Sequence, residues 1–133
     1  MGKFESVHLT VINNPALLKK IRFGFGPDRD ILYGAPTLIL VSAQKPAPGY
    51  ENVTYSNAAG IVENMALAAT DLGVGACHIW GAVMALSKNA DLVASLKLPE
   101  GFIPVCGLIV GKTEESYAER DIDTSRIGVT TID

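Results

Sequence analysis

The chain has 133 residues, of which 48% are hydrophobic and 19% charged, and its net charge at neutral pH is −3. This length and balance predict a single globular domain over residues 1–133 with a sizeable core, and they exclude a largely disordered chain. The sequence has no basic run of the kind that binds nucleic acid, and no apolar stretch of the ~18–20 residues that a membrane span needs.

The first third of the chain predicts two strands separated by a short helix and a loop. Apolar and polar residues alternate over Phe4–Ile12, which indicates a strand. The segment Asn13–Pro15 then offers an asparagine cap and a proline in the first turn of a short helix, which we expect to end at Ile21. The glycine-containing segment Arg22–Asp30 is expected to be a loop. The continuous apolar run Pro36–Ala43 indicates a central strand that is covered on both faces.

A long alanine-rich helix is predicted next, beginning near Thr54, Ser56 or Asn57, each of which can cap it. Its apolar residues recur at helical spacing, at Ala58, Ile61, Val62, Met65, Ala69 and Leu72. Because further alanines widen this stripe and few polar residues remain, we expect the helix to be buried on nearly every side. Such dense alanine permits close approach by a second helix, which could belong to a partner subunit.

Glycine ends this helix at Gly73, and a short strand over Val74–Ile79 leads into a glycine loop at Gly81. That arrangement presents bare backbone to a place where something flat could lie against it. A short helix over Ser87–Leu96 and an apolar strand over Ile103–Val110 complete the predicted core elements.

The chain turns polar from Lys112 onward. Residues Glu114–Arg120 are predicted to form a helical turn, and Arg126–Ile132 an extended C-terminal arm. An extended segment that leaves a compact body has to pair with something, and the sheet edge of a neighbouring subunit is one candidate.

The sulfur and imidazole groups indicate neither a disulfide nor a metal site. Cys77 and Cys106 lie in apolar, strand-like surroundings, which favours two buried free thiols in a reducing cytoplasm. His8 and His78 have no cysteine or carboxylate at ligand spacing, so no metal site is expected.

Several segments, in this order and spacing, resemble the FMN-dependent nitroreductase family across essentially the whole chain. They are Tyr33–Pro36, the alanine-rich helix, Leu72–Gly81, Leu98–Pro104, Leu108–Gly111 and Asp121–Ile127. The resemblance implies an α+β fold with a mixed sheet flanked by helices, a long buried central helix and an extended C-terminal arm. It also implies a homodimer, with the helix over Ser56–Leu72 and the arm at the interface.

The same resemblance implies a flavoprotein oxidoreductase, in which NAD(P)H reduces FMN and the flavin reduces a nitroaromatic or quinone-like acceptor. The flavin carries this chemistry, so no catalytic side chain is expected. However, family members normally carry a further N-terminal portion, with Arg-x-Ser-x-Arg-like and Pro-Ser-x-x-Asn-like motifs, and this chain resembles only the C-terminal two-thirds of the family domain. The alternative is therefore a non-catalytic, truncated protein with weak or no flavin binding, which would act by dimerisation or ligand binding.

The resemblance places the cofactor-binding residues in two regions. The loop His78, Ile79, Trp80 and Gly81 matches the family segment whose backbone faces the flavin ring, with Trp80 where some members carry glutamate. Arg126 matches the arginine that binds the FMN phosphate, since a guanidinium grips phosphate through two hydrogen bonds.

Simpler interpretations of the same residues remain open. Lys112, after the Gly111 turn, is a second cationic candidate for the phosphate, but both it and Arg126 could be solvated surface charges. Trp80 could be an ordinary packed tryptophan in a strand-end turn. His78 is more often a half-buried structural residue than a catalyst, and Glu63 is expected to lie on the wet side of the long helix.

Overall fold

The computed structural model describes residues 4–116 and 118–132 and confirms an α+β fold. The helices and strands, in chain order, are a 3₁₀ turn at Phe4–Ser6, β1 at Val7–Ile12, α1 at Pro15–Arg22, β2 at Thr37–Gln44, α2 at Glu51–Asp71, β3 at Gly75–His78, α3 at Gly81–Ser87, α4 at Ala90–Ser95, β4 at Phe102–Gly111 and a second 3₁₀ turn at Thr124–Arg126.

The four strands form one sheet in the order β1-β2-β4-β3, and all three pairings are antiparallel. The expectation of a mixed sheet is therefore wrong for the part of the chain that the structure describes. Strands β2 and β3, which α2 connects, do run in the same direction. They are not neighbours, because β4 returns from the last helix and inserts between them, so each hydrogen-bonded pair is antiparallel.

Helices cover both faces of the sheet, and the alternation of the strands divides the core in two. On one face α1, α3 and α4 pack against fully buried side chains of β2, namely Leu38 and Leu40. On the other face α2 places Ala58 and Val62 against Val41 and Leu108. The central strand β2 therefore contributes to both cores, which explains its continuous apolar run.

Helix α2 is longer and more exposed than the sequence predicts. It begins at Glu51, whose carboxylate accepts the Gly49 backbone N–H at 2.8 Å, so the three predicted cap residues lie inside the helix. The predicted apolar stripe faces the sheet except at its end, where Leu72 is 76% exposed, and only Ala58, Val62 and Ala69 are buried. The rest of the helix surface is half-buried or exposed, because the one sheet face it packs on covers only one side of it.

The segment after β3 contains two short helices where the sequence predicted one. Helix α3 begins already at Gly81, and α4 begins after Asn89, whose side-chain oxygen accepts the Leu92 backbone N–H at 3.1 Å. This asparagine cap separates the two helices, because a cap residue has extended backbone angles that interrupt a helix.

The C-terminal segment also differs from the prediction. The structure shows no helical turn at residues 114–116 or 118–120, and Tyr117 lies outside the described residues. A 3₁₀ turn forms later, at Thr124–Arg126. The apolar residues beyond it are 78–92% exposed, and they pair with no strand of the described chain. The described residues contain no helix of the length and hydropathy needed to cross a membrane.

Candidate functional site

The loop after β3 presents an exposed backbone step, which we call the shelf and define as Trp80–Gly81. Ile79 fixes its position, because the Ile79 N–H donates to the Gly107 carbonyl oxygen at 2.8 Å and the Ile79 side chain is buried. Trp80 is the cap residue of α3, and its side chain is 65% exposed. The structure thus holds the shelf against β4 while leaving its outer surface open.

The shelf has the properties that a flat, polar-edged cofactor requires. The N–H groups of Trp80 and Gly81 donate to no acceptor within the described chain, because the first N–H groups of a helix lack intrahelical partners. A Cβ at Gly81 would lie 3.7 Å from Ile31 Cβ, which is an ordinary contact. A side chain at this position would therefore point toward the buried Ile31, so glycine is demanded neither by the packing nor by the open surface. The residues present fit FMN at this position.

His78 points to the face of the sheet that α2 covers. Its Nε2 atom lies 3.1 Å from Glu63 Oε2 on α2, with the two side chains 51% and 61% exposed. Glu63 lies on the wet side of the helix, as expected, and it also contacts the strand that leads into the shelf. No sequence pattern indicates this pair, since the two residues lie on different elements.

Both cysteines are free, as the sequence predicts. The expected burial is wrong for Cys77, which is exposed on the edge strand β3, whereas Cys106 is partly buried in the neighbouring strand β4. Burial raises the pKa of the Cys106 thiol to about 11, because a thiolate is disfavoured away from water. No group of three or more potential metal-ligating side chains occurs in the described residues.

The structure does not bring Lys112 to the shelf. Lys112 follows the Gly111–Gly75 pair of the β3–β4 ladder, whereas the shelf follows the His78–Leu108 pair at the other end. Three residues of strand separate these pairs, or about 10 Å. Lys112 instead lines a small depression of about 240 Å³ together with Tyr33 and Pro36.

Arg126 lies in the second 3₁₀ turn, and its side chain is 80% exposed. Its Nε atom is 3.8 Å from Asp123 Oδ2, and within the described residues it has no other charged partner. Hydrogen bonds from the Ser125 hydroxyl and backbone N–H lower the pKa of Asp123. The guanidinium is therefore available to another anion, and no hydrogen bond or ion pair among the described residues joins it to the shelf.

A group of hydrogen bonds made by Asp30 and Arg22, which the sequence did not reveal, shapes the loop that packs beside the shelf. The Asp30 carboxylate accepts the backbone N–H groups of Leu32 and Gly34, each at 2.8 Å, and Arg22 donates to the Ala35 carbonyl oxygen at 3.0 Å. Arg22 Nε also lies 3.4 Å from the Asp30 carboxylate. These bonds shape the loop that buries Ile31, the side chain beside Gly81. The available sequence signal was Asp30 itself, because an aspartate side chain commonly accepts the backbone N–H of the residue two positions later.

Fold and shelf together define an α+β domain with an open backbone step at the start of a helix, and comparison with known families gives its class. The model of the Nitroreductase family matches residues 4–112, so the chain belongs to the nitroreductase family. No curated protein is similar enough to this sequence to count as a match.

Solved structures share the fold at low sequence identity. A nitroreductase with bound FMN from Desulfitobacterium hafniense is 18% identical with a TM-score of 0.73, over 96% of this chain and 77% of that one. A nitroreductase with bound FMN from Bacteroides fragilis is 23% identical with a TM-score of 0.72, over 96% and 78%. An FMN-dependent nitroreductase from Clostridium difficile is 19% identical with a TM-score of 0.68, over 94% and 79%.

Proposed function

We propose that this protein is an FMN-dependent oxidoreductase that takes a hydride from NAD(P)H and reduces nitroaromatic or quinone-like acceptors by two electrons. One observation carries the proposal: the open Trp80–Gly81 shelf, with its two free N–H groups, in a chain of the nitroreductase family. The FMN in similar solved structures supports the same cofactor here.

FMN, when bound, supplies the hydride-transfer chemistry, while the protein binds and orients the ring. In this proposal the N–H groups of Trp80 and Gly81, which have no acceptor within the described chain, would hold the polar edge of the flavin ring. The exposed Trp80 indole borders the same surface and limits the access of water and acceptor to the ring. The Ile79–Gly107 hydrogen bond keeps this arrangement in place before the cofactor arrives.

Arg126 is the proposed phosphate ligand, and we propose that it acts within a homodimer. A charge-assisted hydrogen bond contributes about 1.5–3 kcal/mol, so one arginine changes FMN affinity by roughly tenfold to a hundredfold. The exposed C-terminal arm could carry Arg126 to a shelf of the second copy. The outer face of α2 offers an interface, since Val53 and Leu67 are 58% and 60% exposed. The two free thiols support a cytoplasmic location.

The tryptophan of the shelf gives a direct test, because Trp80 is the only tryptophan in the chain. We expect FMN to quench its fluorescence with a dissociation constant in the micromolar range or below, and the loaded protein to oxidise NADH or NADPH when a quinone is added. Arg126→Gln should weaken FMN binding at least tenfold, whereas Arg120→Gln, a control on the same exposed segment, should not. Absence of both quenching and bound flavin would favour the non-catalytic alternative.

A further inference from the structure

A second cleft opens on the helical face of the sheet, between α1 and the α3–α4 pair. It has a volume of about 970 Å³, and its lining includes Lys19, Lys20, Phe23, Ala85, Lys88 and Leu92. We call it the basic cleft. Its size is that of a small-molecule site, and its combination of an apolar floor with a few charged groups is typical of one.

The charge of the basic cleft is positive, although Asp91 lies beside it in an adjoining depression that shares Lys20 and Leu92 with the cleft. The cleft lining contains no carboxylate among the described residues, and none of the ion pairs seen there involves its three lysines. Helices α1 and α3 both end at the cleft, and together their carbonyl ends carry at most about one negative charge. Three ammonium groups exceed the sum of the helix ends and the Asp91 carboxylate, so the cleft favours an anion. A phosphate monoester, which carries about −1.5 to −2 at neutral pH, is such an anion.

The Phe25 ring holds Lys88 at the edge of the basic cleft. The Lys88 ammonium lies 4.6 Å from the centre of the Phe25 ring, and the Arg29 guanidinium carbon lies 5.5 Å from the same centre. Phe25 in turn packs against the buried core. The ring therefore anchors Lys88 at the rim and keeps a fourth cation close to it.

The floor of the cleft is apolar and rigid. Leu92 and Ala85 are buried, and Phe23 is half-buried beside them. A Cβ added at Gly24 would come within 2.5 Å of Ala85 Cβ, so the loop after α1 and helix α3 are already in closest contact there. Such a floor suits a flat apolar body, which an aromatic ring provides.

We propose that the basic cleft is a second small-molecule site, which binds a phosphate monoester with a flat aromatic body, of the class of nucleoside monophosphates. The lysines take the phosphate, and the ring lies against Phe23 and Leu92. This site is distinct from the shelf: α3 begins at the shelf and reaches the cleft with its other end, about 10 Å away.

Calorimetric titration with adenosine 5′-monophosphate, adenosine and inorganic phosphate tests the proposal on the intact chain. We expect the monophosphate to bind at least tenfold more tightly than either half alone. Lys19→Gln combined with Lys88→Gln should weaken it about tenfold, and the exposed Lys45→Gln should not. Phe23→Leu should weaken the monophosphate and leave inorganic phosphate unchanged.

Two results would overturn the proposal. One is that the wild-type protein binds the monophosphate no more tightly than it binds adenosine or phosphate. This comparison does not depend on the folding of any variant. The other is a loss of binding in Arg126→Gln without a loss in the lysine pair, because that would place the monophosphate at the proposed flavin site. Circular dichroism of each variant shows whether it is folded. FMN is itself a phosphate monoester with a flat ring, so the same variants are titrated with FMN: a loss only in Arg126→Gln assigns FMN to the shelf, and a loss only in the lysine pair assigns it to the cleft.

Discussion

Replacing Gly107 with alanine should destabilise the protein and disturb the shelf together. Gly107 is a buried residue of β4, and its carbonyl oxygen accepts the N–H of Ile79. A Cβ at this position would lie 3.1 Å from the Ile39 carbonyl oxygen, 3.1 Å from Leu38 Cδ1 and 3.4 Å from Ile79 Cγ2. The oxygen belongs to the neighbouring strand and cannot move far, so Ile79 and Leu38 have to give way.

Overpacking of this kind costs about 1–3 kcal/mol. For a chain of this size that loss lowers the melting temperature by about 4 °C per kcal/mol. Because Ile79 is one of the displaced side chains, we also expect weaker FMN binding. Gly60→Ala is the matched control: it lies inside α2, a Cβ there would meet nothing within 4 Å, and alanine should raise the free energy of unfolding by about 0.5–1 kcal/mol.

Urea unfolding followed by circular dichroism measures both variants, and two protein concentrations separate any change in self-association from a change in helix stability. The reasoning fails if Gly107→Ala is as stable as the wild type, since the packing around β4 would then be looser than the contact distances indicate. A less stable Gly107→Ala that binds FMN normally would instead show that Ile79 does not transmit the strain to the shelf.

Three further outcomes are expected. Ser42→Ala should raise the free energy of unfolding by about 1 kcal/mol, because its buried hydroxyl has no hydrogen-bond partner in the described chain; Ser95→Ala, whose hydroxyl donates to a backbone carbonyl at 2.6 Å, should lower it in the same denaturation assay. At pH 8 a thiol reagent should label Cys77 rapidly and Cys106 only after unfolding, because a pKa of about 11 leaves roughly one thousandth of that thiol ionised; equal labelling rates would contradict this. Leu67→Glu should weaken the proposed dimer in sedimentation experiments without lowering monomer stability, since the side chain is 60% exposed, and an unchanged sedimentation profile would remove α2 from the interface.

Local sequence patterns predicted much of the secondary structure. The apolar runs that became β2 and β4 lie within a residue or two of their observed ends, because a continuous apolar stretch of that length suits a strand covered on both faces. Strand order was not accessible in this way: nothing in the pattern of β4 shows that it inserts between β2 and β3. For α2 the composition indicated burial, but only one side of the helix meets this chain's own sheet.

The candidate site was accessible where it is continuous in sequence and not where it is assembled in space. The loop from His78 to Gly81 holds together because its residues are neighbours along the chain. Glu63 was missed as the partner of His78, since a helix residue and a strand residue meet only through the fold. From the sequence, Lys112 and Arg126 were both candidate cations for the phosphate. Only the register of the β3–β4 ladder shows that Lys112, which follows β4, lies beside the start of β3 and the shelf beyond its end.

Strand β3 has a consequence for local opening. It consists of four residues, lies at the sheet margin and is hydrogen-bonded on one side only. Its amide protons should therefore exchange with deuterium sooner than those of β2, which has a strand on each side. The shelf that we assign to the flavin thus directly follows a weakly protected edge strand. Part of the binding free energy of any ligand there is therefore offset by the cost of ordering that strand.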